Sequence, residues 1–426
     1  MPFVELSAET WVYFVVAVFT ALAYYEGFWL VRESLGLYLY VRRTTAGARK
    51  LKDAEGRFLY QPRVAVILPC CGVDERLHQT VGRLGCQNYA DYEIIFTLES
   101  EEDPAYEAIG RWTADWTLVR HRRVVAGLTQ QRSQKIHNLL AAVEQVSPDR
   151  EVLVFLDSDA VPSADWLGHL VAPLNDEAVG AATGFRWYCA SGGIANGLRS
   201  VWNAASVTLI RDEQRNFCWG GATAVRLDRF KSLDIARRWS HALSDDYQMT
   251  RAVRDAGLII RFVPQALIPS HDRTTLRGFF EFARRQLIIT RVCAPDIWRT
   301  GLLLCTVFVF GGSAAAVLFF LCLLGWFGSM TAGWWAFAGW MVVMLLTLAL
   351  VTFRQLAVRQ ILGPPDVTWK DAAWDIAGIF FAGMLHQSVF ASSIGTRRFA
   401  WRNTVYEMIS PDETRVIGRL DKTNEQ

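Results

Sequence analysis

The sequence lacks a strong net charge, a cleavable leader, metal-knuckle cysteines and any internal repeat. Its 44 Lys and Arg against 42 Asp and Glu leave a formal charge of +2. The basic footprint of a nucleic-acid partner is therefore missing, and none is expected. The eight cysteines follow no zinc spacing. Cys70 and Cys71 are adjacent, which suits neither a C-x-x-C knuckle nor an ordinary disulfide. The set reads as reduced, mostly buried thiols on the cytosolic side. The first apolar stretch has no basic region before it and no small-residue cleavage site, so it reads as a retained anchor. No low-complexity tract is present either, which sets aside long disordered linkers.

Apolar residues, by contrast, are abundant. They make up 52% of the chain, and mean hydropathy is +0.16, yet 20% of residues are charged. The two classes must be segregated, as in a membrane protein that carries a soluble domain. Seventeen Trp fit a long membrane interface, where amphipathic rings settle.

Trp11 to Val31 is apolar except for Glu26. As a helix it would run about 32 Å, enough to cross a hydrocarbon core. Arg32, Arg42, Arg43, Arg49, Lys50 and Lys52 follow, and by the positive-inside rule the chain then enters the cytosol. Residues 1–35 are thus expected to be a transmembrane anchor. No charged residue lies between Arg299 and Arg354. One helix of that length would measure roughly 80 Å, so residues 299–354 must fold into a hairpin of two spans. Its turn is expected near Gly328 to Gly333. The segment 372–395 is apolar but holds Asp375 and His386. A full crossing would leave Arg397, Arg398 and Arg402 outside, against the charge rule, which favours a re-entrant or interfacial helix. Residues 396–426 read as a cytosolic tail.

Residues 61–295 look soluble. Arg63 to Pro69, Tyr92 to Leu98 and Glu151 to Leu156 read as strands. Glu75 to Cys86, Pro104 to Ala114 and Lys135 to Val146 read as helices between them. The alternation predicts an α/β domain with a mostly parallel sheet and ligands at the carboxyl ends of the strands. The stretch Thr274 to Val292 interleaves Phe279, Phe280, Phe282, Leu287 and Ile288 with Arg277, Arg284, Arg285 and Arg291. It reads as a basic amphipathic helix on the membrane surface, closing that domain.

Three acidic motifs carry candidate chemistry. Asp157-Ser158-Asp159 follows the apolar strand Val152 to Leu156. It suits a turn, and equally a hard-oxygen site for Mg²⁺ or Mn²⁺ against a diphosphate. Glu99 to Asp103 places four acids in five positions. Asp103 can cap a helix that opens with Pro104, contact a donor's base or ribose, or do both. Ser244-Asp245-Asp246-Tyr247 opens a helical stretch through Arg254. It reads as a cap, or as a carboxylate base that deprotonates an acceptor hydroxyl. Trp219-Gly220-Gly221 reads as a tight turn that also lets backbone approach a ligand. Lys135 reads as a solvated helix-face lysine or a ligand of a donor phosphate. His271 reads as an ordinary surface or core histidine.

In order and spacing, these pieces resemble the ceramide glucosyltransferases and their bacterial relatives, within the family-2 glycosyltransferases. Pro69-Cys70-Cys71-Gly72-Val73-Asp74 resembles their P-x-x-G-V-D, and Glu102-Asp103-Pro104-Ala105 their D-D-P-A. Lys135-Ile136-His137-Asn138-Leu139 resembles K-I-N-N-L. Asp157 to Asp159 falls at the second family aspartate, and Asp245-Asp246-Tyr247 at the third, E-D-Y. Trp401-Arg402-Asn403-Thr404-Val405-Tyr406 resembles W-R-x-x-x-Y. The resemblance implies a GT-A nucleotide-sugar-binding domain beside transmembrane helices. It also implies a UDP-sugar donor, a divalent cation, inversion at the anomeric carbon and a membrane-lipid acceptor such as ceramide. Asp246 would then be the base. Gly72, Asp74, Asp103, Lys135 and Asp157 would bind the donor, and Asp157 with Asp159 the metal. Trp219, Gly220, Gly221 and Asp245 would form the acceptor or donor loop. The family's Q/R-x-x-R-W is altered here to Phe282-Ala283-Arg284-Arg285-Gln286-Leu287. Arg284, Arg285 and Gln286 stand in its place, and no alignment restores the Trp. The alternatives are another lipid acceptor (a hopanoid, a diacylglycerol or a polyprenyl phosphate), a polysaccharide-initiating enzyme, or a non-catalytic sugar-nucleotide-binding protein. The expected location is a bacterial inner membrane, rather than the Golgi, with the catalytic domain in the cytosol.

Overall fold

The computed structural model describes residues 7–211, 213–363 and 366–420, with only the backbone of 379–382. In chain order the elements are α1 (Ala8–Ala48), β1 (Val64–Pro69), α2 (Glu75–Leu84), β2 (Tyr92–Leu98), α3 (Pro104–Trp112), β3 (Arg120–Val125), α4 (Gln134–Glu144), β4 (Val152–Leu156), α5 (Trp166–Val171) and β5 (Val179–Tyr188). They continue with α6 (Ile194–Val207), β6 (Ala222–Arg226), α7 (Leu227–Ser232), α8 (Ile235–Trp239), α9 (Asp245–Asp255), β7 (Ile259–Ser270) and α10 (Leu276–Cys293). The last are α11 (Pro295–Leu323), α12 (Met330–Leu362), α13 (Trp369–Ser393), β8 (Arg398–Trp401), β9 (Thr404–Ser410) and β10 (Glu413–Arg419). The chain divides into two compact units. One comprises residues 40–189, 209–272 and 396–426, and the other residues 1–39, 190–208 and 273–395.

The first unit is built on a seven-stranded sheet in the order β3-β2-β1-β4-β6-β5-β7. The pairs β1/β2, β1/β4, β2/β3 and β5/β7 are parallel, and β6 runs against both of its neighbours. The mostly parallel α/β domain expected from the sequence is thus what the chain forms. β1, β2 and β4 are almost wholly buried, which is why they read as continuous apolar runs instead of alternating ones. Val64, Val66 and Leu68 pack into one core with Val81 and Ile109, while Ala65 and Ile67 pack into another with Ile136, Leu139 and Trp239. Successive side chains along a strand point to opposite faces, so helices cover both. All eight cysteines are free thiols, four of them buried.

Residues 396–426, expected as a tail, instead fold through Arg419 as the antiparallel sheet β8-β9-β10 of this unit. Thr414 N donates to His241 O (2.8 Å) and Val416 N to Gln130 O (3.2 Å). Gln248 Nε2 donates to Pro411 O (2.7 Å), and the Tyr406 hydroxyl accepts from Gln134 N (3.1 Å). β9 alternates buried and half-buried positions over most of its length. An alternating polar strand carries too little apolar sequence to stand out, and only its docking buries it.

Among the described residues three helices are long and apolar enough to cross a membrane, Ala8–Leu51, Pro295–Leu323 and Met330–Leu362, or four spans if the bent α13 counts as one. The first helix does not stop near residue 35, because Leu37-Tyr38-Leu39-Tyr40-Val41 extends its apolar pattern, and α1 runs on to Ala48. Close approach of these helices rests on small residues, a device common in membrane bundles. A methyl added at Gly311 would lie 2.5 Å from Phe19 O, and one at Gly339 2.8 Å from the Tyr24 hydroxyl. The α11–α12 turn falls at residues 324–329, slightly earlier than expected. Gly325, at φ 75°, ends one helix, and Ser329 Oγ caps the next by accepting from Ala332 N (3.2 Å). The halves Trp369–Gly378 and Gly383–Ser393 of α13 meet at 67°. Asp375 is fully buried. It faces Arg354 Nη2 at 3.2 Å and accepts from Gln355 Nε2. In α10, Phe279, Ala283 and Leu287 pack against Val389 and Phe390 of α13.

Candidate active site

The parallel strands set the site. β1, β2 and β4 all end at one edge of the sheet, so the loops after Pro69, Leu98 and Leu156 open side by side. β6 runs the other way, and Leu156 pairs with Ala222. The start of β6, with Trp219, Gly220 and Gly221 before it, therefore reaches the same edge. There Asp157 N donates to Gly221 O (3.2 Å).

Lys135 lies in the first turn of α4, behind the Ser133 cap. Its Nζ contacts Asp157 Oδ1 at 2.9 Å, Asp245 Oδ2 at 3.2 Å and Gly220 O at 3.2 Å. The ammonium is therefore the hub of an acidic cluster and not the solvated helix-face group that the sequence also allowed. Burial alone would depress its pKa, but Asp157 and Asp245 override that and raise it. Asp245 is buried. Burial pushes its carboxyl up to about 6, against the pull of Lys135 and with the help of neighbouring Asp246 and Asp157.

The glycines are pressed into this cluster. A methyl on Gly220 would lie 2.5 Å from Asp245 Oδ2 and 3.0 Å from Lys135 Nζ. One on Gly221 would lie 2.5 Å from Asp157 Oδ2 and 2.3 Å from the Trp219 ring. The tight-turn reading of this loop holds. It is a tight turn, with Ala222 N donating to Trp219 O (3.0 Å), and its backbone approaches the carboxylates closely.

Asp246 follows Asp245 in the first turn of α9 and is half-buried. Its Oδ1 accepts from Tyr247 N (2.8 Å) and from the Ser244 hydroxyl. The carboxylate is thus held by one oxygen, while Ser244 serves as the cap the sequence suggested.

On the β1 side, Asp103 is 2% exposed. It accepts from Gly72 N at 3.0 Å (Oδ1) and 3.1 Å (Oδ2), and from Ala105 N at 2.9 Å. It caps α3 and also clamps the loop after β1, where Gly72 takes φ 70°, a conformation that favours glycine. Asp74 is exposed and caps α2 by accepting from Leu77 N (2.7 Å). Glu99 Oε2 lies 3.5 Å from Arg419 Nη1 of β10.

Sequence reasoning missed Arg186 of β5. It pairs with Asp159 at 2.8 and 2.5 Å through both nitrogens and both oxygens. Burial would raise the Asp159 pKa, but Arg186, helped by Arg402, holds it well below the usual range. Asp272, just past β7, lies 3.9 Å from Arg186 Nη1 through its Oδ2 and pairs with Arg76 Nε at 2.9 Å through its Oδ1. The signal was available, since an arginine inside a ten-residue strand that is otherwise uncharged must find counter-ions. His271 is exposed, with Nε2 3.7 Å from Cys189 Sγ. Arg284, Arg285 and Gln286 belong to the other unit, on α10. There Arg284 Nε donates to Ser392 O (3.2 Å), and the Arg285 guanidinium lies 5.6 Å from the Phe282 ring centre.

Among the described residues no group of three or more His, Cys, Asp or Glu is arranged to hold a metal. Asp157 and Asp159 still supply two hard carboxylates at one strand end, the donor set with which Mg²⁺ is commonly held when substrate phosphates complete its shell. In chemistry the pair fits such a cation, although Lys135 and Arg186 neutralise it here.

Residues 28–413 match the model of glycosyl transferase family 21. The chain belongs to glycosyl transferase family 21. The sequence resemblance had placed it within family 2. The glycosyltransferase is also similar to solved structures. A mannosyltransferase from Pyrobaculum calidifontis, in complex with GDP-mannose and Mn²⁺, is 18% identical, with a TM-score of 0.44 over 80% of this chain and 99% of that one. Glucosyl-3-phosphoglycerate synthase from Mycobacterium tuberculosis, with Mn²⁺ and UDP-glucose, is 16% identical, with a TM-score of 0.36 over 53% and 77%.

Proposed function

We propose that this family-21 glycosyltransferase moves a hexose, glucose in the first instance, from a UDP-sugar to the hydroxyl of a membrane lipid of the ceramide class, with inversion. One observation carries the reading. The Asp157/Asp159 pair at the end of β4 and the Asp245/Asp246 pair opening α9 converge through Lys135 and the Gly220-Gly221 backbone. A leaving-group site and a base site are thus held within one cluster.

In this reading the acceptor oxygen attacks the anomeric carbon as the bond from that carbon to the diphosphate breaks and UDP departs. Asp246, oriented through its Oδ1 by Tyr247 N and Ser244, takes the hydroxyl proton on its carboxylate. Such a base supplies about 10² to 10⁴ in rate. Lys135 keeps Asp157 and Asp245 in place. Asp103 and Gly72 shape the loop that receives the nucleotide, and Asp74 fixes the start of α2 behind it. Asp157 and Asp159 would hold a Mg²⁺ or Mn²⁺, which offsets charge on the departing diphosphate. Arg284, Arg285 and Gln286 stand where the family's Q/R-x-x-R-W is altered, and so bear on the choice of lipid. The apolar helices anchor the chain in the bilayer with the catalytic unit on the cytosolic side, as the basic residues after the first span favour, in a bacterial inner membrane.

The deciding experiment is UDP release by purified protein in detergent. UDP-glucose, UDP-galactose and UDP-N-acetylglucosamine are screened with Mn²⁺ or Mg²⁺, with and without ceramide. Ceramide-dependent release that stops with chelator is the expected result. Release that ignores ceramide moves the acceptor to another lipid, and no release from folded protein overturns the catalytic reading.

A further inference from the structure

Arg186 enters the acidic cluster from β5, a strand whose ten residues are all buried. Its guanidinium grips Asp159 by both oxygens, Nη1 to Oδ2 at 2.8 Å and Nη2 to Oδ1 at 2.5 Å. Nη2 lies 3.9 Å from Asp157 Oδ2, and Nη1 lies 3.9 Å from Asp272 Oδ2. The rings of Trp219 and Tyr188 stand 5.4 and 5.7 Å from the guanidinium carbon. Taking a guanidinium out of water is expensive, and packing alone would be served as well by an apolar side chain. Its position therefore calls for another reason.

The fork of an arginine matches a carboxylate through two parallel bonds, and it matches a phosphate equally well. While Arg186 holds both oxygens of Asp159, a divalent cation that needs this carboxylate has to displace it. Once displaced, the guanidinium keeps Asp272 and two aromatic faces as anchors and is free to turn its fork to a nearby phosphate. Resting on the nucleotide-sugar reading above, we propose that Arg186 is a resident counter-ion of the Asp157/Asp159 pair. A divalent cation displaces it and a nucleoside diphosphate then engages it, so that cation and diphosphate bind cooperatively. Linkage requires the coupling to be reciprocal.

The test is Mn²⁺ binding to the full-length protein in detergent, read by electron paramagnetic resonance of free Mn²⁺, with and without UDP. Wild type, Arg186→Met and Arg186→Lys are compared, with melting temperatures as the folding control. The wild type should bind Mn²⁺ at least about tenfold more tightly with UDP than without. Arg186→Met should bind Mn²⁺ alone about tenfold more tightly than wild type, and UDP should add less to its Mn²⁺ affinity than it adds to that of wild type. Arg186→Lys, a point charge without the fork, should fall between them, and it decides the matter by the same comparison if the Met variant does not fold. Equal Mn²⁺ affinity without UDP in wild type and variants overturns the inference and leaves the cation site standing. Mn²⁺ binding by none of them, with UDP or without, removes the cation site itself and the inference with it.

Discussion

Lys135 Nζ and Asp245 Oδ2 lie 3.2 Å apart, and the same ammonium holds Asp157 Oδ1 at 2.9 Å. Even with this partner, burial raises Asp245 from its ordinary 3.8 to about 6. Its folded value thus lies above its unfolded one, and the folded state holds the proton more tightly. The stability this contributes is complete below about pH 4 and is lost as pH rises through about 6. Asp245→Asn does not titrate. Between pH 4 and pH 7 the variant should therefore gain on wild type, by at most about 3 kcal/mol. Denaturant or thermal melts of both proteins across that range check it, and a difference that stays flat would show that Asp245 ionises normally.

Asp246→Asn should lower turnover by about 10² to 10⁴. The asparagine side-chain oxygen still accepts from Tyr247 N, so the first turn of α9 is kept. UDP binding, followed by calorimetry, should stay within a few-fold of wild type. Turnover near the wild-type rate would remove Asp246 as the base.

Gly221→Ala adds a methyl 2.5 Å from Asp157 Oδ2 and 2.3 Å from the Trp219 ring. Overpacking of this kind costs roughly 1 to 3 kcal/mol. Here the carboxylate gives way more readily than the strand. The expected outcome is a protein that melts slightly earlier and binds UDP with Mn²⁺ at least about tenfold more weakly. Unchanged binding would mean that Asp157 does not contribute to that site.

Arg354 and Asp375 are 3% and 0% exposed and lie 3.2 Å apart in the unit of long apolar helices. Asp375→Ala leaves a buried guanidinium without its counter-charge and should cost about 3 to 5 kcal/mol, whereas Arg354→Met with Asp375→Leu should recover most of that loss. Melting temperature in detergent reads both. Equal losses in the single and double variants would show that the pair is not coupled.

The strands β1, β2 and β4 were readable because strands buried on both faces become unbroken apolar runs. α3 and α9 announced themselves through Asp103-Pro104 and Ser244, whose capping acts over a few residues and so leaves a local mark. The long apolar helices α11 and α12 followed from a long stretch without charge, since a helix fit to cross a bilayer needs length and apolarity alone. β3 was missed because an exposed edge strand such as Arg120-His121-Arg122-Arg123 is protected by charge and not marked by apolarity.

By itself, then, the sequence determined the sheet's central strands, the apolar helices and the capping role of Asp103 and Ser244, because each depends on neighbours close in the chain. Only the tertiary structure decided who pairs with whom. Lys135 reaches Asp157 and Asp245, Arg186 grips Asp159 and lies near Asp272, and β10 brings Arg419 to Glu99. Partners tens to hundreds of residues apart leave no local pattern. Their choice follows from strand order and from the cost of leaving a buried charge unpaired, and both are fixed only once the sheet has closed around them.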